Sequence, residues 1–332
     1  MAQPNFWANP HPAYETLQEI EYTIFYIHKQ YQRWCSILEE IKTALELLAT
    51  SPDEQLLQEA QANLAQLQQE LETAEIRALL TNSDDQKGAF LTIKAESDDA
   101  DGQEWAYILL KMYYQWANKH NYQIHLLEES GGDVSGIKSA TCEITGLYAY
   151  GFLKSELGIH QLQRLSPFET SGNLRTSLAR VEVSPILDES IDLVIPDQDL
   201  QITRWQWHGQ NINHPEIWVR VVHIPSGITV FCEQERSQLE NKKQALAILK
   251  SKLVAIALAQ GVKSIADIQP GEIKSLSSQI IREYVLHPYT KVKDLRTKVE
   301  TTNVQDVWNG DIDFLIKAYL QQQSYMTVEK SS

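Results

Sequence analysis

Residues 136–170 read GIKSATCEITGLYAYGFLKSELGIHQLQRLSPFET, and the hydrophobic period changes within this span. Residues 141–144 are short and contain two β-branched side chains, which predicts a strand, whereas residues 147–156 have helical spacing. The stretch upstream repeats this mixture, with strands predicted at 90–95 and 122–128 and a helix at 103–119. Strands and helices in this order predict an α+β domain that begins near residue 88.

Apolar residues recur at helical spacing before this domain. The spacing holds over residues 14–48, breaks at Ser51-Pro52, and resumes over residues 53–80. This pattern predicts two antiparallel helices joined by a short turn. The polar run at 82–85 then predicts a linker, because it has no apolar period. We therefore expect an N-terminal helical hairpin over residues 1–82.

A second, smaller α+β unit is predicted downstream of residue 194. Three strands, at 200–207, 217–223 and 227–234, precede a strongly periodic helix at 237–260. The run Trp207-His208-Gly209-Gln210-Asn211 between the first two strands is too polar and too interrupted by glycine to be sheet. It predicts an exposed loop carried on a rigid scaffold.

The charge balance argues against indiscriminate binding to nucleic acid. The chain has 44 acidic and 29 basic residues and a net charge of −15, whereas phosphate contacts require Lys and Arg. Any RNA contact is therefore expected to be local, and for each basic cluster a solvated surface is the alternative. The candidate basic groups are Arg175 and Arg180, then Lys242, Lys243, Lys250 and Lys252, then Lys291, Lys293, Arg296 and Lys298.

The sequence also predicts a soluble cytoplasmic protein that needs no metal or other cofactor. No stretch approaches the roughly 18 apolar residues of a membrane span, and the first residues lack the layout of a secretory signal. Three cysteines lie far apart, which predicts buried thiols rather than disulfides or a zinc site. They are Cys35, Cys142 and Cys232. His208, His214 and His223 lack a convincing ligand spacing.

Three long segments resemble bacterial class I peptide chain release factors, and they occur in that family's order. Residues 128–170 are similar to the codon-reading domain of the type that reads UGA and UAA. Residues 223–253 and 280–316 are similar to later segments of the same family, and the hairpin resembles its N-terminal helical domain. The resemblance implies a codon-recognition domain at 88–194 completed by 277–325, a tip domain at 195–265 and a connector at 266–276.

A Ser-Pro-Phe tripeptide faces the stop codon in this family, and here it is Ser166-Pro167-Phe168. A hydroxyl can donate to one base and accept from another, so Ser166 could tolerate A or G at the second codon position. Proline fixes φ near about −65° and stiffens the loop. The resemblance extends codon recognition to Thr176 and to Arg175, which falls where a base-stacking His is expected. The alternative for the tripeptide is a structural turn.

The family reads the first codon base with the start of a helix, whose N–H groups can contact uridine. Gly131, Gly132 and Asp133, ahead of residues 134–139, are expected to form that helix start. The nearby stretch 96–100 lacks the glycine-rich turn that the family tends to have there.

The family carries a Gly-Gly-Gln tip that enters the peptidyl transferase centre, and the corresponding residues here are His208, Gly209 and Gln210. The chemistry needs a backbone N–H aimed at the developing charge and room for one water, so Gly209 and Gln210 lie nearest to it. If position 208 needs a left-handed backbone, His costs about 1–2 kcal/mol. A Gly-only conformation would cost more and displace the tip.

The resemblance therefore implies translation termination, with recognition of UGA or UAA in the ribosomal A site and hydrolysis of peptidyl-tRNA. The altered tip leaves a second hypothesis, a non-hydrolytic paralogue that binds RNA or ribosomes as a regulator. Both imply ribosomal RNA and mRNA as partners, and the first adds peptidyl-tRNA. A Gln methyltransferase acting on Gln210 is a further expected partner, and the protein is expected to be a monomer away from the ribosome.

Overall fold

The computed structural model describes residues 10–132, 135–169, 172–187, 195–207, 216–233, 237–260, 262, 268 and 278–331. The chain divides into two compact units, Met1–Glu75 and Ile76–Ser332. Both helices and antiparallel strands are present in quantity, which confirms the α+β fold class. Within the described residues, no helix is long and apolar enough to cross a membrane.

The helices and strands follow one another along the chain in a mixed order. They are α1 (Pro10–Thr50), α2 (Glu54–Leu79), β1 (Ala89–Ala95), α3 (Ala100–Lys119), β2 (Gln123–Gly131), β3 (Ile137–Thr145), α4 (Ala149–Leu153), β4 (Gly158–Leu165), β5 (Leu174–Pro185), β6 (Leu200–Trp207), β7 (Glu216–His223), β8 (Ile228–Cys232), α5 (Gln238–Gln260), β9 (Ile280–Val285), β10 (Lys291–Asp294), β11 (Glu300–Thr301), α6 (Val304–Trp308) and α7 (Asp313–Ser331).

The N-terminal unit contains α1 and most of α2, as the interrupted helical period predicted. The Asp53 carboxylate accepts from the backbone N–H groups of Gln55 and Leu56 at 2.9 and 3.2 Å, which satisfies the first turn of α2. Glu70 holds the helices together by accepting from Arg33 and Trp34. Cys35 in α1 is exposed, so the prediction of a buried thiol is wrong there, whereas Cys142 and Cys232 are buried.

The second unit is built on an eight-stranded sheet with the order β11-β10-β9-β4-β5-β1-β3-β2. All pairs are antiparallel except β4 with β9, which run parallel. The strands β1 to β5 come from one continuous segment. The strands β9 to β11 come from the C-terminal segment and extend the same sheet beyond β4.

Helix α3 packs along this sheet and supplies much of its core. Trp105, Leu109, Met112 and Trp116 recur at spacings of three and four residues, and all four are fully buried. The strand and helix predictions for residues 90–128 and 141–144 are confirmed. The helix predicted at 147–156 is split into α4 and a 3-10 turn at Lys154–Glu156.

A smaller three-stranded sheet, β6-β7-β8, carries α5 on one face. Its core includes Val219, Val221 and Leu249, and it joins the larger sheet through Phe90 and Leu127. Apolar side chains alternate along β7, because successive residues of a strand point to opposite faces. The three predicted strands and the predicted helix are confirmed in this region.

A buried charge network lies behind β4, where the C-terminal segment meets the rest of the sheet. Arg282 of β9 donates to both carboxylate oxygens of Glu156 at 2.6 and 2.7 Å, and Tyr113 donates to the same carboxylate at 3.0 Å. Burial, reinforced by Arg282, lowers the pKa of His160 to about 4. Trp105 donates its indole N–H to the His160 carbonyl at 2.9 Å. This network fixes β4 against α3.

Candidate functional site

The Ser-Pro-Phe tripeptide lies in the loop between β4 and β5, whose ends face each other in the ladder. The backbone N–H of Ser166 donates to the carbonyl of Asn173 at 3.1 Å and closes the base of the loop. Gly172 has a φ of +62°, a left-handed conformation that glycine adopts without strain. The loop is therefore a closed hairpin end on two strands of the large sheet. Residues 170 and 171 lie outside the described residues.

The Ser166 side chain is fixed from beneath by the first turn of α3. Its hydroxyl donates to the Asp101 carboxylate at 2.6 Å and accepts from the backbone N–H of Phe168 at 3.2 Å. Both Ser166 and Asp101 are buried. Arg164 donates to Asp101 at 3.2 Å and also contacts Glu104. The Asp101 carboxylate and the Phe168 N–H thus fix the hydroxyl rotor, and they use its proton and one of its two lone pairs.

The neighbouring predicted residues are exposed on the same loop and on the start of β5. Pro167 and Thr176 are exposed, and Phe168 is 41% exposed although it is a large aromatic residue. An exposed aromatic beside a fixed hydroxyl suits stacking or edge contact with an unpaired base. The structure therefore brings together Ser166, Pro167, Phe168, Arg175 and Thr176.

Arg175 is held by an acidic residue of the same loop. Its Nε donates to Glu169 at 2.8 Å, and its terminal nitrogen also contacts that carboxylate. Asn173 donates to the other Glu169 oxygen at 3.0 Å. The hydrogen bond that Arg175 donates to Glu169 raises the pKa of Arg175, although the arginine side chain is 55% exposed. The arginine is thus a paired cation whose guanidinium plane reaches solvent.

The predicted helix start at Gly131, Gly132 and Asp133 is wrong. Gly131 ends β2 and Ile137 begins β3, whereas Asp133 lies outside the described residues. Two glycines before a polar residue suit a turn between strands as well as a helix start, and here a strand follows at Ile137. Gly132 instead donates its N–H to the carbonyl of Gly136 at 2.9 Å, which closes a tight turn.

The helix start near the Ser166 loop belongs to α3. Asp99 caps it by accepting from the backbone N–H of Gly102 at 2.7 Å. The β2–β3 turn packs against the same first turn so closely that a Cβ on Gly136 would lie 2.2 Å from the Gln103 carbonyl oxygen. The structure thus brings three elements to one place: the Ser166 loop, the α3 N-terminus and the β2–β3 turn.

The described part of this site has an acidic balance, and its arginines are paired. Arg164 contacts Asp101 and Glu104, Arg175 contacts Glu169, and Arg180 contacts Glu96 at 2.7 Å. Several of the other predicted basic groups are also paired. They are Lys252 with Glu182, Lys291 and Lys293 with Glu300, and Arg296 with Asp294. The arginines around this loop are therefore largely neutralised by neighbouring carboxylates.

The second predicted site lies at the end of the β6–β7 hairpin. Trp207 and Glu216 pair across the ladder, so residues 208–215 form the connection between them. His208, Gly209 and Gln210 fall in this connection, outside the described residues. The described strands show a regular register up to the loop, from Leu200 opposite His223 to the last pair.

Sequence reasoning missed two residues that contact the predicted ones, Asp101 and Glu169. It also missed Arg164, which pairs with Asp101 and Glu104 beneath the loop. A helix-capping signal was present, since Asp99 precedes an apolar periodic run. That signal would have placed the start of α3 at residues 99–100. The pairing of Asp101 with Ser166 spans 65 residues and has no local signal.

Family models match most of the chain. The PCRF domain model matches residues 1–181 and the RF-1 domain model matches residues 189–296. The chain is 40% identical to "Peptide chain release factor PrfB1, chloroplastic" of Arabidopsis thaliana. The matched region covers 96% of this chain and 71% of the Arabidopsis protein. The chain is 38% identical to "Peptide chain release factor 2" of Thermomicrobium roseum, over 97% of this chain and 86% of the other. "RF2 of Thermus thermophilus" matches in structure with a TM-score of 0.68, at 32% identity, over 97% of this chain and 91% of that one.

Proposed function

Because the chain belongs to the peptide chain release factor family, we propose that it terminates translation by recognising UGA and UAA in the ribosomal A site and triggering hydrolysis of peptidyl-tRNA. The observation that carries codon recognition is the fixed hydroxyl of Ser166, buried against Asp101 at the base of an exposed loop.

The second codon base meets Ser166 in this proposal. The remaining hydroxyl lone pair accepts from the N6 amino group of adenine. Rotation of the hydroxyl away from Asp101 lets it donate to O6 of guanine. Asp101 stays paired with Arg164 in either case, so its charge is not left alone. One serine thereby accepts both UAA and UGA.

The first and third bases meet different elements. The N-terminus of α3 replaces the wrongly predicted residues 131–133 as the first-base reader, because its first turn lies beneath Ser166 and presents backbone N–H groups. Arg175 and Thr176 flank the third base, where the guanidinium plane can stack. Phe168 packs against the codon from the loop, and Pro167 limits the motion of that loop.

Hydrolysis is assigned to the loop that follows β6. The backbone N–H of Gln210 stabilises charge on the departing ribose oxygen, and Gly209 leaves room for the attacking water. His208 stands where the family has its first glycine. The β6–β7 hairpin supports the assignment, because these residues connect two strands that pair in regular register.

The partners follow from this activity. They are ribosomal RNA, the mRNA stop codon and peptidyl-tRNA, and the protein acts as a monomer in the cytoplasm. Gln210 is a candidate substrate for a Gln methyltransferase. Mass spectrometry of the peptide that contains Gln210, from protein isolated from its own cells, tests that assignment.

Release of formylmethionine from ribosomes with UGA, UAA, UAG or a sense codon in the A site tests the proposal. The matched variant is His208→Gly, which restores the family's tip. Fast release at UGA and UAA by the unaltered protein supports termination with a tolerated His. Release only by His208→Gly restricts the proposal to codon recognition, and silence from both, together with A-site binding that is equal at all four codons, contradicts it.

A further inference from the structure

Glu169 places one negative charge against Arg175 on the codon-facing loop. It accepts from Nε of Arg175 at 2.8 Å and from Asn173 at 3.0 Å. One carboxylate therefore links the loop to the start of β5. The Arg175 side chain is 55% exposed and that of Glu169 is 28% exposed. The carboxylate therefore occupies the Nε edge of the guanidinium, while more than half of the arginine side chain is exposed.

An arginine without this carboxylate would bind RNA differently. A free guanidinium on an RNA-facing loop is attracted to any phosphate, and phosphate contacts carry no sequence information. A paired guanidinium has less net charge to offer a phosphate. Because the Glu169 carboxylate fixes its orientation through Nε, it can offer a flat face for stacking on a base.

We propose that Glu169 is a specificity-determining residue, which positions Arg175 to stack on the third codon base and prevents it from binding RNA phosphates indiscriminately. The inference rests on the proposed function, since it assumes that this loop meets the codon. The paired state of Arg164 supports it, because this arginine at the base of the loop is neutralised by Asp101 and Glu104.

Binding of the labelled protein to ribosomes with UGA or UGG in the A site tests this inference, because these codons differ only at the third base. The variants are Glu169→Gln, Arg175→Ala and the double variant, measured over a range of salt concentrations. Glu96→Gln is the matched control, since it removes the carboxylate that Arg180 contacts on the same strand, away from the loop.

We expect Glu169→Gln to bind UGG more tightly and to lower the UGA-to-UGG affinity ratio by about 3-fold, the size of one exposed charge interaction. The slope of log K against log salt should steepen by about 0.7, as for one added phosphate contact on single-stranded RNA. Arg175→Ala should weaken binding at UGA by at least about 5-fold. In the Arg175→Ala background, Glu169→Gln should change neither the ratio nor the slope.

An unchanged codon ratio in Glu169→Gln, or an equal effect of Glu169→Gln with and without Arg175, would overturn the inference. A salt slope that steepens equally in Glu96→Gln would also overturn it, because any unpaired arginine would then have the same effect. Equal binding of the unaltered protein to stop and sense codons is a different result, since it contradicts the proposed function itself.

Discussion

A serine hydroxyl has one proton and two lone pairs, and at Ser166 the proton is already given to Asp101. The free protein therefore holds this hydroxyl as an acceptor. Adenine can use that state directly, whereas guanine requires the proton to turn away from the carboxylate. The cost of breaking one charge-assisted hydrogen bond thus falls on UGA alone.

Removal of the hydroxyl gives a prediction at the same scale. Ser166→Ala should weaken A-site binding at both UGA and UAA by about 10-fold, because one hydrogen bond to the second base is worth about 1–1.5 kcal/mol. Equilibrium binding to programmed ribosomes measures this. Ser177→Ala is the control, since Ser177 is buried within β5, and it should leave the codon ratio unchanged. A loss that is equal at stop and sense codons would argue against base contact by Ser166.

A second prediction concerns how stability changes with pH, and it depends on the titration of His160. Burial, together with Arg282, lowers its pKa to about 4, against about 6.5 in the unfolded chain. Between these values the unfolded chain binds the proton and the folded chain does not, so stability falls as pH drops from about 6.5 to 4. The loss approaches roughly 1.4 kcal/mol for each unit of pKa difference.

The variant His160→Gln lacks that titration. Urea unfolding between pH 4 and 7 should show a flatter pH dependence for His160→Gln than for the unaltered protein. Equal slopes for the two proteins in this window would show that His160 is not the group responsible.

At the scale of elements, the N-terminus of α3 is the point where three segments meet. The β2–β3 turn contacts it through Gly136, which has a φ of +77° and no room for a Cβ. Glycine is needed here for both reasons, because other residues are strained in this conformation and a side chain would strike the helix backbone. The turn therefore cannot drift relative to the residues beneath Ser166.

A matched pair of glycine variants tests this contact. Gly136→Ala should lower the free energy of unfolding by more than about 2 kcal/mol, since it combines backbone strain with overpacking. Gly131→Ala, in the same hairpin, should change it by less than about 0.5 kcal/mol, because nothing lies within 4 Å of its added Cβ. Thermal unfolding of both variants gives the comparison. Similar losses from both would contradict the close-packing argument.

The elements themselves were largely predictable, whereas their meeting point was not. Local signals predict the helices and strands: α2 and α3 have a helical period, and β1 and β7 contain β-branched residues. The error at residues 131–133 arose because glycines before a polar residue suit both a helix start and a strand turn. Asp101 was missed because its partner lies 65 residues away. Local patterns cannot show such a pair.

At the scale of the whole molecule, one buried ion pair ties the C-terminal segment to the centre of the sheet. Arg282 and Glu156 are fully buried and 126 residues apart. Asp294 adds a second carboxylate at 3.4 Å. Because the pair joins β9 to the turn before β4, it helps to define where the parallel strand is placed.

Removing the arginine of this pair alone should destabilise the protein more than removing both charges. Arg282→Met should lower the free energy of unfolding by about 3–5 kcal/mol, because it leaves the Glu156 charge buried without its cation. Adding Glu156→Gln, which keeps an acceptor for Tyr113, should recover part of that loss. Urea unfolding of the single and double variants measures the coupling. A double variant less stable than Arg282→Met would contradict the charge argument.

The parallel pairing of β4 with β9 also has a consequence for how the protein is made. Strands β1 to β5 are complete once Pro185 has been synthesised, but β9 begins only at Ile280. During synthesis at about 5–20 residues per second, the outer edge of β4 therefore stays open for roughly 5–20 seconds. An open strand edge invites pairing with another chain. The small unit that contains β6 to β8 is made in that interval, so the nascent protein must keep an unfinished sheet soluble while a whole inserted unit folds beside it.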